Sequence, residues 1–552
     1  LSKCLPAGKY LIFCRILAAI VIGIFVASVP YNTVFAKKIK PKVILYVPHD
    51  NRPVSNKQTV QVLEKAGYIV KVPPDNLLGS RRSFGNPEGI YQWILVNGKD
   101  ADAAVISSDS LLYGSLVASR KHDFMKDRVL QRTDYFIEIH KKYPKLPLYV
   151  FSSIMRTPKN AAASGSEEPS YYRQYGEEIF RYTALTDKQR LQQLTAVEQV
   201  ELAKLKETIP QEVLDDWFNR RFKNFTANKV LIGLARNNIL SYLVLGCDDN
   251  APYSQTHAES VVLGKYSADL PKSKFCIVSG VDELGLLLST RAANEMRNYH
   301  PAVAINYASG YGGATVPAYS DKPIDLSVRA EINLAGGVPT TLPDRAAMLL
   351  LVNTNVSGWT YEAGESLNSE EPRANTLSFA DNIAKYIQAK IPVAIGDIAY
   401  ANGADNALLR VLRQRDLLFK LNSYAGWNTA TNSTGWSIAQ GILSLNMSVD
   451  NKNRLLLTRY LDDWVYQANV RSLVARQLNI FPGQGTKLTL GDKTMPAEIN
   501  ADRLTKAFLD RYLSFLGIKA VKVEFPWDRL FEADIDVSTN PNAYAKHYFG
   551  IQ

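Results

Sequence analysis

The chain predicts an α/β fold built on a mainly parallel sheet, and three observations carry that prediction. Short, β-branched apolar runs alternate with helix-period segments from about residue 41 to 430. The runs are nearly continuous in apolar character, as in strands buried on both faces. Five of them stop on acid: Val43–Val47 before Asp50, Ala103–Ile106 before Asp109, Tyr242–Cys247 before Asp248 and Asp249, Phe275–Val278 before Asp282 and Glu283, and Pro392–Gly396 before Asp397. Carboxyl ends of strands form the ligand face of α/β folds. Five sets in register point to one acidic cleft and to an enzyme.

In chain order, strands are expected near 43–48, 68–73, 103–108, 147–153, 242–247, 275–280, 302–307, 347–352, 393–398 and 418–424. Ten exceed the needs of an eight-stranded barrel, so two are taken as peripheral or miscounted. A (β/α)8-barrel-like arrangement is the first expectation and a doubly wound sheet the second. The rhythm breaks at about 160–235. There Ala161-Ala-Ala-Ser-Gly-Ser reads as a loop before a charged helical stretch, expected as a helical insertion over the cleft. From about 431 the pattern is mostly helical, and it ends in a strand-like Ala520-Val-Lys-Val-Glu-Phe and an irregular tail. The expected organisation is a signal peptide at 1–36, an α/β catalytic-type domain at 37–430, and a mostly helical region at 431–552 packed on it. No internal repeat is evident.

The N-terminal expectation rests on layout. Lys3, Lys9 and Arg15 precede an apolar stretch, Ile16–Val29, that Pro30 breaks, and Val34-Phe35-Ala36 offers a processing site. That stretch is short for a membrane span, so an exported protein is expected, periplasmic or extracellular, with an uncleaved anchor as the alternative. Removing residues 1–36 takes the formal charge from +11 to +8. The remaining basic residues are scattered, without a basic stripe interleaved with aromatics, so a nucleic-acid partner is not expected. Cys247 and Cys276 then remain, both near predicted strand ends; they can bridge only if their strands are neighbours.

Asp248 and Asp249 are the sharpest chemical signal. Adjacent carboxylates at a strand end suit acid–base work, because unlike surroundings separate their proton affinities. The alternative is a helix N-cap. Asp50 and Arg52 after the first strand, Asp109 after the third and Arg156 after the fourth are candidate substrate-binding groups. So are Arg236 and Asn237 ahead of the acidic pair's strand, and Asp282 and Glu283 beyond it. Asp397, Asn402, Trp427 and Asn428 combine carboxylate, amides and an aromatic face, a set suited to a sugar ring with hydroxyls around its edge. The six histidines lack metal-ligand spacing, so no zinc site and no cofactor are expected. A hard cation held by carboxylates stays open. Nucleophile-elbow, Walker and dinucleotide fingerprints are missing from the sequence, which removes the commonest hydrolase, NTPase and dehydrogenase readings.

These segments resemble the bacterial domain of unknown function family 4127. The matching stretches are His49-Asp-Asn-Arg-Pro-Val, Tyr113-Gly-Ser-Leu-Val-Ala-Ser-Arg, Leu245-Gly-Cys-Asp-Asp-Asn-Ala-Pro-Tyr, Val281-Asp-Glu, Ala401-Asn-Gly-Ala-Asp, Gly426-Trp-Asn-Thr and Phe525-Pro-Trp-Asp-Arg-Leu-Phe-Glu. They span about 43–536, and the last implies that Trp527, Arg529 and Glu532 fold back to the main domain. A local resemblance, about ten residues long, links the strand ending in Asp248-Asp249 to family-84 glycoside hydrolases. It implies a barrel enzyme acting by substrate assistance, with Asp249 as general acid and Asp248 orienting the sugar's 2-acetamido group. The expected function is thus an exported carbohydrate-active hydrolase with a carbohydrate substrate. The alternatives are metal-assisted hydrolysis by the carboxylate cluster and a non-catalytic exported sugar-binding protein.

Overall fold

A computed structural model describes residues 40–81, 83–159, 167–480 and 489–544. The expected signal segment at 1–36 lies outside the described residues, as does the Ala161–Ser166 loop of the insertion. Among the described residues no helix is long and apolar enough to cross a membrane.

The α/β class with parallel strands is as expected, but the strands are shared between two sheets. Strands β1 (Val43–Val47), β2 (Ile69–Lys71), β3 (Ala103–Ser107), β4 (Leu148–Ile154), β5 (Tyr242–Cys247) and β6 (Phe275–Ser279) pair in the order β2-β1-β3-β4-β5-β6. All these pairings are parallel. The second sheet uses β7 (Ala302–Tyr307), β8 (Val338–Thr340), β9 (Met348–Asn353), then β11 (Val393–Asp397) and β13 (Ser423–Ala425). Its order, β8-β7-β9-β11-β13, repeats that of the first sheet, with the second strand placed outside the first and growth running the other way. Among the described residues this is a doubly wound order. Two-residue strands β10 (Tyr361–Glu362) and β12 (Tyr400–Ala401) pair beside the second sheet, and β14 (Ala520–Glu524) and β15 (Asp534–Ser538) form an antiparallel hairpin.

Side-chain alternation then decides the layers. Successive residues of a strand point to opposite faces. Leu45, Val47, Ala104, Ile106, Val150 and Leu243 pack under helices Pro87–Asn97, Lys126–Lys142, Gln211–Arg236 and Gln255–Tyr266. Their neighbours Ile44, Tyr46, Val105, Phe151 and Val244 face the opposite way, into a core shared with Leu350, Val352 and Ala394 of the second sheet. Between the sheets lie helices Leu284–Met296, Ile324–Leu334 and Ala430–Ser444. The second sheet's other face, with Leu349, Leu351 and Ile395, is covered by Thr376–Gln388 and Asn406–Gln414. One helical layer is therefore common to both sheets.

Three departures from the expected elements have local causes. Strand β8 is three residues long and contains Pro339, which hides it from a periodicity reading. Within the run expected at 418–424, Leu418–Lys420 forms a 3-10 turn and only Ser423–Ala425 is strand. Residues Tyr460–Val470 form a buried π-helix in place of an ordinary α-helix. In the expected insertion, Tyr172–Arg190 and Ala196–Thr208 are added helices, whereas Gln211–Arg236 is itself the crossover helix on the first sheet. Cys247 and Cys276 are on neighbouring strands but are three residues out of register, since Val244 faces Cys276, and both thiols are free. Burial pushes the Cys247 thiol up to about 12 and the Cys276 thiol to about 11.

Candidate functional site

Strand β5 ends in a tight turn in which Asp249 takes a left-handed φ of 38°. The next helix, Gln255–Tyr266, is capped by Ser254, whose hydroxyl accepts from the His257 N–H at 3.0 Å. Asp248 and Asp249 therefore do not cap it, and the backbone bend is held for another purpose. Asp248 is buried and accepts a hydrogen bond from Arg120 at 2.5 Å. Asp249 accepts from Arg156 at 3.1 Å through Oδ2, and its side chain stays 24% exposed. Among the described residues its Oδ1 accepts no hydrogen bond, which leaves one carboxylate oxygen available at the strand end.

Arg156 follows β4 and is buried. Besides Asp249 it grips Glu168 at 2.7 Å and Glu167 at 2.8 Å. Glu167 also holds Arg529, reached from the C-terminal segment, at 2.5 Å, and Arg529 in turn pairs with Glu532. Burial pushes the Glu168 carboxyl up despite its two arginine neighbours. Trp527 donates its ring N–H to Asn51 Oδ1 at 2.8 Å and lies under the guanidinium groups of Arg52 and Arg529. The Phe525–Glu532 segment thus folds back onto the first sheet.

Arg52 carries the network to the second sheet. It binds Asp50 at 2.9 Å and Asp282 at 2.8 Å, while Asp282 accepts from Asn428 at 3.1 Å. The Asn428 carbonyl accepts from the Asn402 N–H at 2.8 Å, and the Asn402 amide donates to Glu362 at 2.8 Å. Tyr319 is 44% exposed overall, and its phenol is raised by burial and then by the carboxylates of Glu362 and Asp249, so it stands in the field of both. Strand ends of both sheets and the C-terminal segment therefore meet around one set of polar side chains. Tyr319, Asn402, Asn428 and Asp528 have left-handed φ values of 64°, 59°, 59° and 53°, so backbone strain collects here with that of Asp249.

Other expected residues are placed differently. Asp109 is wholly buried and holds the neighbouring strand ends through the Ser153 N–H at 3.1 Å, the Ser153 hydroxyl at 2.9 Å and His49 at 3.3 Å. Asp397 is wholly buried as well. It accepts from Asn353, the Asp405 N–H and the Tyr424 hydroxyl, and burial plus neighbouring Asp405 raises it to about 6. Trp427 is buried with its ring against Phe531 and offers no open stacking face. Arg236 and Asn237 end a helix at the amino end of β5, where Arg236 pairs with Asp269 at the surface; they lie outside the circuit because they precede the strand. Sequence reasoning did not single out Glu167, Glu168, Tyr319 or Glu362. The Glu167-Glu168-Pro169 step after the glycine-serine loop was the available signal for the first two.

Glu283 lies beneath this set. It is buried beside a cavity of about 10 Å³ lined by Asp282, Trp427, Trp436 and Arg459. Asn432 donates to its Oε2, while its Oε1 has no partner. The approach is possible because Gly280 (φ 89°) has no side chain: a Cβ there would stand 2.2 Å from that oxygen. Burial, then the charge of Asp282, raises Glu283 to about 8. From pH 4.5, its ordinary value, up to about 8 the folded chain holds a proton that the unfolded chain releases, so stability falls across that window as pH rises. Glu283→Gln is expected to flatten this fall. Thermal melts of both proteins at pH 5 and 8.5 check it, and equal pH shifts would remove Glu283 as the cause.

Among the described residues no group of three or more His, Cys, Asp or Glu is arranged to hold a metal ion. Most carboxylates of the circuit are instead matched by guanidinium or amide donors. No curated protein and no solved structure matches the chain. A family model described as "Protein of unknown function (DUF4127)" matches residues 44–536, nearly all of the described structure, and the chain belongs to that family.

Proposed function

We propose that the protein is a carbohydrate-active hydrolase that cleaves a glycosidic bond at Asp249. The observation that carries this reading is the unbonded Oδ1 of a partly exposed Asp249, with the Tyr319 phenol in its field and Glu362, Asn402 and Asn428 further along the same polar circuit. Amide, phenol and carboxylate groups arranged in this way satisfy sugar hydroxyls, which both donate and accept. Asp248, buried against Arg120, supports the strand end and suits an orienting role toward a 2-acetamido group, with Asp249 exchanging the proton at the leaving oxygen. The buried arginines set the orientation of the carboxylates around this point.

The test is release of chromophore from a panel of aryl glycosides, including N-acetylhexosaminides, with and without chelator. Chelator-resistant release from an acetamido sugar is the expected result. Chelator-sensitive release would replace this reading with metal-assisted hydrolysis. Sugar binding without turnover across the panel would replace it with a binding protein.

A further inference from the structure

The loops that follow β7 and β9 carry aromatic rings into solvent beside the circuit. Trp359 is 71% exposed and Tyr311 62% exposed. Both loops lead to residues already placed in the circuit. Tyr311 shares its loop with Tyr319, which stands in the field of Asp249, and Trp359 runs directly into β10 and its Glu362. A single exposed ring is ordinary, whereas apolar side chains grouped on one surface mark a place that meets another molecule.

The two loops are welded to each other. Buried Asn375 donates to the Ser309 carbonyl at 3.2 Å and to the Thr354 carbonyl at 3.1 Å. Gly310 (φ 113°) lets the backbones touch, since a Cβ there would stand 2.6 Å from the Val356 carbonyl oxygen. The Tyr311 ring rests on Gly358 (φ 74°), where a Cβ would stand 2.8 Å from its Cγ, and this seats it next to Trp359 in the chain. The Ser357 hydroxyl accepts from the Trp359 N–H at 3.3 Å. Tyr319 holds a left-handed φ that a bulky side chain rarely adopts, and such strain persists where the surroundings enforce it for a function. The rings are therefore presented on a firm base.

Composition indicates what they meet. Residues 309–320 and 354–361 contain no Asp, Glu, Lys or Arg, in a chain that is 21% charged. A protein partner is commonly steered and registered by charges, and these loops offer none. They offer rings, hydroxyls and the Asn355 amide, which suit an uncharged ligand with apolar faces and hydroxyl edges. We propose that Tyr311 and Trp359 form a platform for sugar rings beyond the bond at Asp249, so that the substrate is an extended, uncharged glycan chain. The inference rests on the carbohydrate reading of the neighbouring site and deepens it to a substrate class.

Calorimetric titration of the full chain with oligomers of N-acetylglucosamine (chitin-derived) and of glucose (cellulose-derived), each from monomer to hexamer, tests it. Parallel titrations of Asp249→Asn keep cleavage of the probe out of the measured heat. In one series the hexamer is expected to bind at least about tenfold more tightly than the monomer. Trp359→Ala and Tyr311→Ala are each expected to remove most of that gain, about tenfold, with little change in melting temperature, while Trp359→Phe keeps most of it. Phe515→Ala, which removes a ring 63% exposed outside these loops, is expected to leave the gain unchanged. A gain with length together with silence on the glycoside panel would keep the platform and remove the hydrolase. Turnover on the panel without any gain with length would overturn the platform and leave the reading of Asp249 intact. No binding in either series, or a gain unchanged in both alanine variants, would overturn the proposal. So would a dimer in sedimentation that Trp359→Ala dissolves, which would give the surface to a second copy of the chain.

Discussion

Asp249→Asn is expected to lower turnover by about 100- to 10,000-fold, the usual loss when a positioned acid–base group is removed. Asparagine keeps the shape of the side chain and an oxygen able to accept from Arg156, so the bond at 3.1 Å survives in weakened form. The side chain is partly exposed, which limits the cost of the change to the fold. The variant should therefore melt close to the parent while losing activity on whichever glycoside the panel identifies. Full activity in a folded Asp249→Asn protein would take this residue out of the chemistry. Asp248→Asn is a poorer probe, because that carboxylate is buried against Arg120 and a loss of activity there mixes with a loss of structure.

Arg156→Met is expected to be the most damaging single change to stability. Methionine fills much of the same space without a charge. It strips Glu167, Glu168 and Asp249 of a shared cation in a site that is largely closed to water. Removing one partner from a buried ion pair costs about 3–5 kcal/mol when the charge left behind has no other partner; here Glu167 keeps Arg529 at 2.5 Å and Glu168 keeps Arg120 at 3.7 Å, which places the expected loss toward the lower end. Arg236→Met supplies the control: it breaks an ion pair with Asp269 at the surface, where solvent screens the loss. A melting temperature that falls sharply in the first variant and hardly moves in the second is the expected pattern. Similar melting temperatures would mean that the buried arginines are not needed to hold the circuit.

Local pattern revealed the strands and concealed their partners. Each of the ten expected strand regions contains a strand, because buried parallel strands must be continuous apolar runs, and β4 or β9 could hardly be read otherwise. Pairing is a long-range property. The alternation of strand and helix is the same whether eight strands close a ring or eleven share two sheets, so the two-sheet order was invisible. Strand-end acids were informative in a similar, partial way. Asp50, Asp248, Asp249 and Asp282 come together because their strands end on one side. Asp397 has the same sequence signature but is absorbed by Asn353, Tyr424 and the Asp405 N–H. Nothing in a single strand distinguishes these fates, because the difference lies in what the neighbouring loop supplies. Trp427 shows the same limit: beside Asn428 it reads as a sugar platform, yet Phe531, about a hundred residues further on, covers its ring.

The helical layer common to both sheets bears on how the chain can be made. Synthesis from the N-terminus completes the first sheet and then the helix Leu284–Met296, whose partner Ala430–Ser444 is made only after the second sheet's strands. Until then the early helix is covered by the first sheet and by Ile324–Leu334, but the side that meets Ala430–Ser444 is open. A half-made chain carries an exposed greasy surface through a long stretch of translation, the condition under which nascent proteins aggregate or recruit chaperones. Truncation after residue 300 should therefore yield an insoluble product rather than a free-standing half, and the protein should reach its folded state only once the last third of the chain has emerged.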